Sequence, residues 1–348
     1  MQINEMKQSL TYRWLKVNDA QVEWPFTDKR SYQATASKKE EGITVAAEFS
    51  DSDYGLSAEA LSRHQEQENL CLEYHFYENG KTEYIQLHQS AAESQLVDRI
   101  DLQAEGGSDT TVVIDYTNEA GVEALRHSLL RVSARAGAVL RLIIVQRQTD
   151  TAQVYTQLAL RLQEGAQVNT TYINIGAAST HLNYHVELLG KEAKHKVDTV
   201  YFLEEQQLFD TLYQVKHYGK RSVSDLQSKG VLKDRSKKLF RGVIDFRRGC
   251  TGASGNEEEF VTLLSPGAIS RSVPILLCTE DDVNGNHASS VGQIEEDPLF
   301  YIMSRGIDEE EAKRLLVEAK LFPLLDAIPF DELREAVKAE LHERLAAK

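Results

Sequence analysis

Proline, cysteine and long apolar runs are scarce in this sequence. Six prolines in 348 residues leave backbone ladders with few forced interruptions. The three cysteines, Cys71, Cys250 and Cys278, are odd in number, widely separated and outside CxxC spacing. That argues against a disulfide framework or a structural zinc site and for buried or idle thiols in a reducing compartment. Nowhere does the chain approach the roughly 18 consecutive apolar residues of a membrane span, and the opening MQINEMKQSLTYRWLKVNDA lacks the apolar core of a secretory signal. A cytoplasmic location is expected. Basic residues are also in deficit, 39 Lys plus Arg against 54 Asp plus Glu, for a formal charge of −15. The resulting field repels phosphate backbones and anionic bilayers, so neither nucleic acid nor membrane is expected as a partner.

What is present is β-forming sequence. Hydrophobic residues make up 41% of the chain, enough for one long or two ordinary domains. Residues 1–90 read as a mixed α/β segment. Ser57–Leu70 suggests a short helix with Ser57 as its N-cap, and Leu72–Phe76 and Glu83–Leu87 alternate like strands. From about Leu96 to Val283 short runs follow one another: TVVIDY (Thr111–Tyr116), AVLRLIIV (Ala138–Val145), VYTQLALRL (Val154–Leu162) and VNTTYINIG (Val168–Gly176). Most alternate in period two and are rich in β-branched, leucine or aromatic residues. No long amphipathic helix intervenes, which excludes a doubly wound α/β sheet. Small-residue turns at Arg135–Val139, Glu164–Val168 and Leu189–Ala193 recur at roughly 25 to 30 residues, a period typical of stacked repeats. The fold class expected is mainly β, with a right-handed parallel β-helix core over residues 91–292. A β-sandwich is the runner-up, disfavoured because hairpin dipeptides are few.

Beyond Gly292 the period becomes helical. Glu295–Ser304 carries acids and Pro298 at its start and Gly306 past its end. Asp308 stands three residues before Glu311 as a capping pair, with Leu315, Leu316 and Ala319 on the apolar face behind it. Asp331 starts a last helix bearing Leu333, Val337, Leu341 and Leu345. Residues 293–348 are therefore expected to form a small C-terminal helical domain.

Generic catalytic signatures are missing. GCTGASG (Gly249–Gly255) lacks the Lys-Ser/Thr ending of a phosphate loop, and neither GxGxxG nor GxSxG occurs. His181 and His185 in HLNYH would share one face of a strand, but no adjacent third ligand accompanies them. The basic run KDRSKKLFR (Lys233–Arg241) reads as a solvated turn, with an interaction patch as the alternative. Acidic stretches at Glu257–Glu259, Glu295–Asp297 and Asp308–Glu311 read as structural, two of the three lying where helix N-termini favour negative charge. His287 differs from these. Its neighbours Gly285, Asn286, Ala288 and Ser289 leave the ring uncrowded between the last strand and the terminal helices, in what reads as a loop over Asn284–Gly292. An imidazole there has a structural role, or ligates a metal, or moves a proton.

Read together, Phe240–Ile307 resembles the C-terminal part of the SufB/SufD family of iron–sulfur cluster assembly proteins. The resembling elements are an F-x-G-x-I strand, an L-L-S-P-x-A turn, a P-x-L strand, the D-D-V-(x)3-H segment, G-x-I, and an L-F-Y-(x)3-R-G-I helix. YRWLKVND (Tyr12–Asp19) resembles the family's Trp-containing opening. SufB-type chains carry a cysteine shortly before the P-x-hydrophobic strand, where Ala268 or a neighbour stands here, and a glutamate in the later segment, where His287 stands here. The chain is thus similar to SufD-type members. It departs from their usual Cys-Ser-His-Gly, which is Gly285-Asn286-His287-Ala288 here, without the thiol.

The resemblance implies a parallel β-helix flanked by an N-terminal segment and a C-terminal helical domain. It implies a non-enzymatic scaffold that pairs with a SufB-like subunit, or with a second copy of itself, through the β-helix end. It further implies that C-terminal helices dock a SufC-like ABC-type ATPase, a docking region placed here at Phe300, Tyr301, Arg305 and Gly306. His287 becomes a candidate iron ligand at a subunit interface. No tightly bound cofactor is expected, only transient iron or an iron–sulfur cluster, with ATP used through the partner ATPase. The alternatives are a carbohydrate-active β-helix enzyme and an iron-binding or adaptor β-helix outside any assembly pathway.

Overall fold

A computed structural model of the chain describes residues 1–6, 17–26, 30–33, 38, 45–49 and 58–346. The proposed N-cap Ser57 and most of the Trp-containing opening, Tyr12–Lys16, lie outside the described residues. At the start of the chain β1 (Gln2–Ile3) pairs antiparallel with β2 (Ala20–Gln21), and two short helices follow, α1 (Val45–Glu48) and α2 (Ala58–Gln67).

From Leu70 onward sixteen strands alternate between two sheets. The odd-numbered strands, from β3 (Leu70–Phe76) to β17 (Ile269–Cys278), stack into one eight-stranded sheet. The even-numbered strands, from β4 (Asn79–Gln89) to β18 (Val283–Gly292), stack into the other. Every pair within the two sheets is parallel, as in Val139↔Gln167 and Gln167↔Lys194, steps of 167 − 139 = 28 and 194 − 167 = 27 residues. The molecule is therefore a β-solenoid of about eight turns with two strands per turn, the parallel β-helix expected from the recurring turns. The β-sandwich reading falls, because its strands would pair antiparallel.

Corner chemistry follows the stacking. Gly137 and Gly165 sit at equivalent corners with φ of 71° and 65°, a left-handed conformation that costs glycine little. The same corner one and two turns later holds Glu192 and Arg221 at φ of 60° and 54°, and these two form an exposed ion pair with each other.

Between the sheets lies a continuous core. Alternate side chains such as Leu158, Leu160 and Leu162, Tyr184 and Val186, and Val197 and Tyr201 point inward and are fully buried. Gly230, on β14 (Val223–Leu232), has no side chain because the Tyr201 ring occupies that space. The outer faces are covered by the chain's two ends. Ile3, Met6, Val17, Phe26, Val45 and Phe49 pack on the odd-numbered sheet. On the even-numbered sheet, Val145, Ile173, Val200 and Val231 are covered by Val317, Leu321 and Leu325 of α4 (Glu309–Leu325) and by Val337 and Leu341 of α5 (Asp331–Ala346). Arg344 fastens the end of α5 by ion pairs to Asp150 and Glu204 at solenoid corners.

The two solenoid ends differ. At the first turn Tyr32 enters the core and its hydroxyl donates to the His88 carbonyl at 3.0 Å, while Lys38 bridges to Leu72. At the last turn no described residue plays that part, and most of β17 and β18 is exposed or half-buried. Solenoids need such caps, because a terminal turn has no neighbour to bury its inner face.

Candidate functional site at the open end of the solenoid

The stretch expected to be a loop, Asn284–Gly292, is a strand. Small polar residues give VNGNHASSVG almost no strand propensity, yet β18 pairs in register with β16 (Ala253–Leu263), from Ala253↔Val283 to Thr262↔Gly292. Non-local pairing overrides local preference here. His287 therefore lies on the last strand itself, exposed, not in a loop after it.

Its register partner is Glu257, and residues paired in a parallel sheet share a face. Glu257 is 2% exposed and points into the solenoid. It fits because Gly242, on β15 (Lys237–Phe246), has no side chain; a Cβ there would collide with the Glu257 carboxylate. Burial, and then the nearby Glu259, push the Glu257 acid up to about 8. One turn further along, Gly242 pairs with Pro274 and Glu257 with His287. Among the described residues, the space above the Glu257 carboxylate is thus bounded by Pro274 and His287 in the last turn.

Glu259, two residues along the same inward row, has partners from three strands. Lys238 of β15 and Ser272 of β17 both donate to it, and Ser289 of β18 donates at 3.1 Å. Lys238 also donates to Ser272 at 3.3 Å. Lys238 therefore answers one carboxylate of this buried layer. Glu257 accepts no hydrogen bond from any described residue.

The run Lys233–Arg241 is corrected by the same geometry. Only its first part is a turn; Lys238 and Arg241 are buried on β15. Arg241 pairs with Asp210 at 2.7 Å and donates to the Val17 carbonyl, tying the N-terminal segment to the sheet. Glu257 and Glu259 were equally hidden in the sequence. Their spacing with Val261 and Leu263 was the available signal, since period two places all four on one face.

His181 and His185 do share a face, the outer side of the odd-numbered sheet, but are buried and otherwise occupied. His181 stacks on Tyr155 with ring centroids 5.3 Å apart, and His185 contacts Gln214 at 3.2 Å and Glu187 at 3.5 Å. Among the described residues no group of three or more His, Cys, Asp or Glu side chains is arranged to hold a metal ion. Cys250 is buried in the corner before β16 and Cys278 is exposed at the end of β17. The inward row of β18 thus offers one imidazole above one carboxylate and no thiolate. Such N/O donors suit a single ferrous ion with open positions better than a cluster, which favours thiolate ligation.

Beyond β18, α3 (Glu296–Met303) has Pro298 in its first turn and Gly306, at φ 89°, after its end. None of its residues is buried. Phe300 is 74% and Tyr301 60% exposed. The Arg305 guanidinium lies 5.2 Å from the Tyr301 ring centroid. Asp308 caps α4 by accepting from the Glu311 amide at 3.0 Å. No helix among the described residues is long and apolar enough to cross a membrane.

Comparison with known proteins gives a matching neighbourhood. Residues 85–320 match the family model described as SUF system FeS cluster assembly, SufBD core domain. The iron–sulfur cluster assembly protein SufD of Bacillus subtilis is 35% identical over 132 residues, 38% of this chain and 30% of that protein. An iron–sulfur cluster assembly SufBD family protein of Mycobacterium tuberculosis (strain ATCC 25618 / H37Rv) is 25% identical over 222 residues, covering 63% of this chain and 26% of the relative. One of Staphylococcus epidermidis is 26% identical over 223 residues, covering 63% and 48%. The aligned part spans between about a quarter and about a half of these relatives' length.

Proposed function

Because this chain belongs to the SufB/SufD family of iron–sulfur cluster assembly proteins and is SufD-like, we propose that it is a non-catalytic scaffold subunit. In this reading it pairs with a SufB-like subunit through the last turn of the solenoid and docks a SufC-like ATPase through α3. The observation that carries the reading is the terminal turn, which no described residue caps. An edge strand with a free ladder and an exposed inner row is a surface that isolated proteins ordinarily blunt or cover, and a partner's β-helix end is a matched cover. The exposed Phe300 and Tyr301 on α3 support the second contact, since aromatic residues standing clear of the surface are favoured interface anchors.

Iron enters as cargo. His287 stands at the rim of the terminal turn, where one imidazole from this chain and ligands from a partner would complete a coordination shell. The test is coexpression with SufB-like and SufC-like subunits. A stable complex is expected, with its iron content reduced by His287→Ala. Failure of the chain to copurify with an ABC-type ATPase, or an H287A complex with wild-type iron content, overturns the reading.

A further inference from the structure

The layer of the solenoid interior one turn below the open end is unbalanced in charge. Two carboxylates, Glu257 and Glu259, face one ammonium group, Lys238, and Glu259 takes that cation together with the Ser272 and Ser289 hydroxyls. Glu257 is left 2% exposed with no hydrogen-bonding partner among the described residues. A buried acid without a partner costs stability, and sequences retain such groups where something else binds them. Gly242 reinforces the point, because its missing side chain leaves free the very space the carboxylate fills. The way out of this layer is past Pro274 and His287, the register partners of Gly242 and Glu257 in the open last turn.

We infer that Glu257 is a second ligand from this chain, so that Glu257 and His287 together bind one divalent cation at the mouth of the solenoid. The cation class follows from the donors. One carboxylate oxygen and one imidazole nitrogen favour a borderline ion such as ferrous iron over calcium or magnesium, which prefer oxygen alone, and over thiolate-bound clusters. Two protein ligands leave positions open for water or for a partner's groups. In this form the inference rests on the reading of His287 given above, and it adds that the isolated chain already holds the ion.

The probe is Co2+ titrated anaerobically into the full-length chain, followed by its visible absorption and by calorimetry. One Co2+ per chain is expected, with affinity lowered at least tenfold in both Glu257→Gln and His287→Ala. Gly242→Ala keeps both ligands but displaces the Glu257 carboxylate, and several-fold weaker binding is expected for it. Cys250→Ser and Cys278→Ser should bind as wild type. Circular dichroism of each variant controls for folding, and G242A serves as the test should E257Q not fold. Absence of Co2+ binding, wild-type affinity in both E257Q and G242A, or loss of binding only in the cysteine variants overturns the inference. If the complex still assembles and depends on His287 while Co2+ binding ignores Glu257, the scaffold reading survives and this one does not. If Co2+ binding depends on Glu257 in a chain that forms no complex, the cation site stands and the scaffold reading falls.

Discussion

Lys238 and Glu259 form an ion pair with both side chains 1% exposed, joining the two sheets one turn below the open end of the solenoid. Removing one partner strands the other charge in the interior, a loss of about 3 to 5 kcal/mol, whereas exchanging both for apolar residues is far better tolerated. Lys238→Met alone should therefore destabilise the protein by more than Lys238→Met combined with Glu259→Leu. Urea denaturation of the two variants checks the order. A double variant less stable than the single one would show that the serine hydroxyls bound to Glu259 matter more than the pair.

The C-terminal helices are held by apolar burial. Leu321 is 1% exposed and packs in the cluster formed with the outer face of the even-numbered sheet. Leu321→Ala should cost about 2 to 5 kcal/mol, the usual range for a buried leucine. Because α4 and α5 share this cluster, proteolysis should cut first within 309–346 of the variant.

Asp98 supplies a pH dependence. Burial raises its carboxyl to about 6, against the lowering effects of Arg126 and of hydrogen bonds from Ser128 and Tyr116. A folded pKa above the unfolded one means that the fold favours the protonated acid. That contribution is fully present below about pH 4 and is lost as pH rises through about 6. The difference between the folded and the unfolded carboxyl corresponds to about 3 kcal/mol. Raising the pH from about 4 to about 7 should therefore stabilise Asp98→Asn relative to wild type by about that amount. Equal pH profiles for the two proteins would contradict the assignment.

On α3, Phe300 and Tyr301 do not support the fold. Phe300→Asp should leave thermal unfolding within about 0.5 kcal/mol of wild type, as exposed substitutions do, while weakening capture of a SufC-like ATPase at least tenfold in a pull-down. Retained capture would move the docking site off this helix.

Much of the solenoid was legible because its signals are local. Runs such as VYTQLALRL declare period two, and the corner at Arg135–Val139 recurs at Glu164–Val168. The terminal helices were equally plain, down to the Asp308–Glu311 cap. The open end was not legible, for a physical reason. Seven of the ten residues of strand β18 are Gly, Asn, Ser or Ala, which favour no extended conformation, and its register with β16 is what holds it extended. The inward direction of Lys238, Glu257 and Glu259 likewise depends on pairing across turns about 30 residues apart. Charged residues in a run read as solvated unless their alternation with buried neighbours is weighed first.

The most direct measurement is hydrogen–deuterium exchange over Val283–Gly292, taken on the chain alone and with coexpressed SufB-like and SufC-like subunits. Among the described residues strand β18 has a neighbour on one side only, so its outward amides should exchange quickly in the free chain. Pairing should slow them at least tenfold, while Gln153–Leu162, in the middle of the solenoid, stays unchanged. Unaltered exchange of Val283–Gly292 in a complex that does form would contradict the central claim that the open end is the pairing surface.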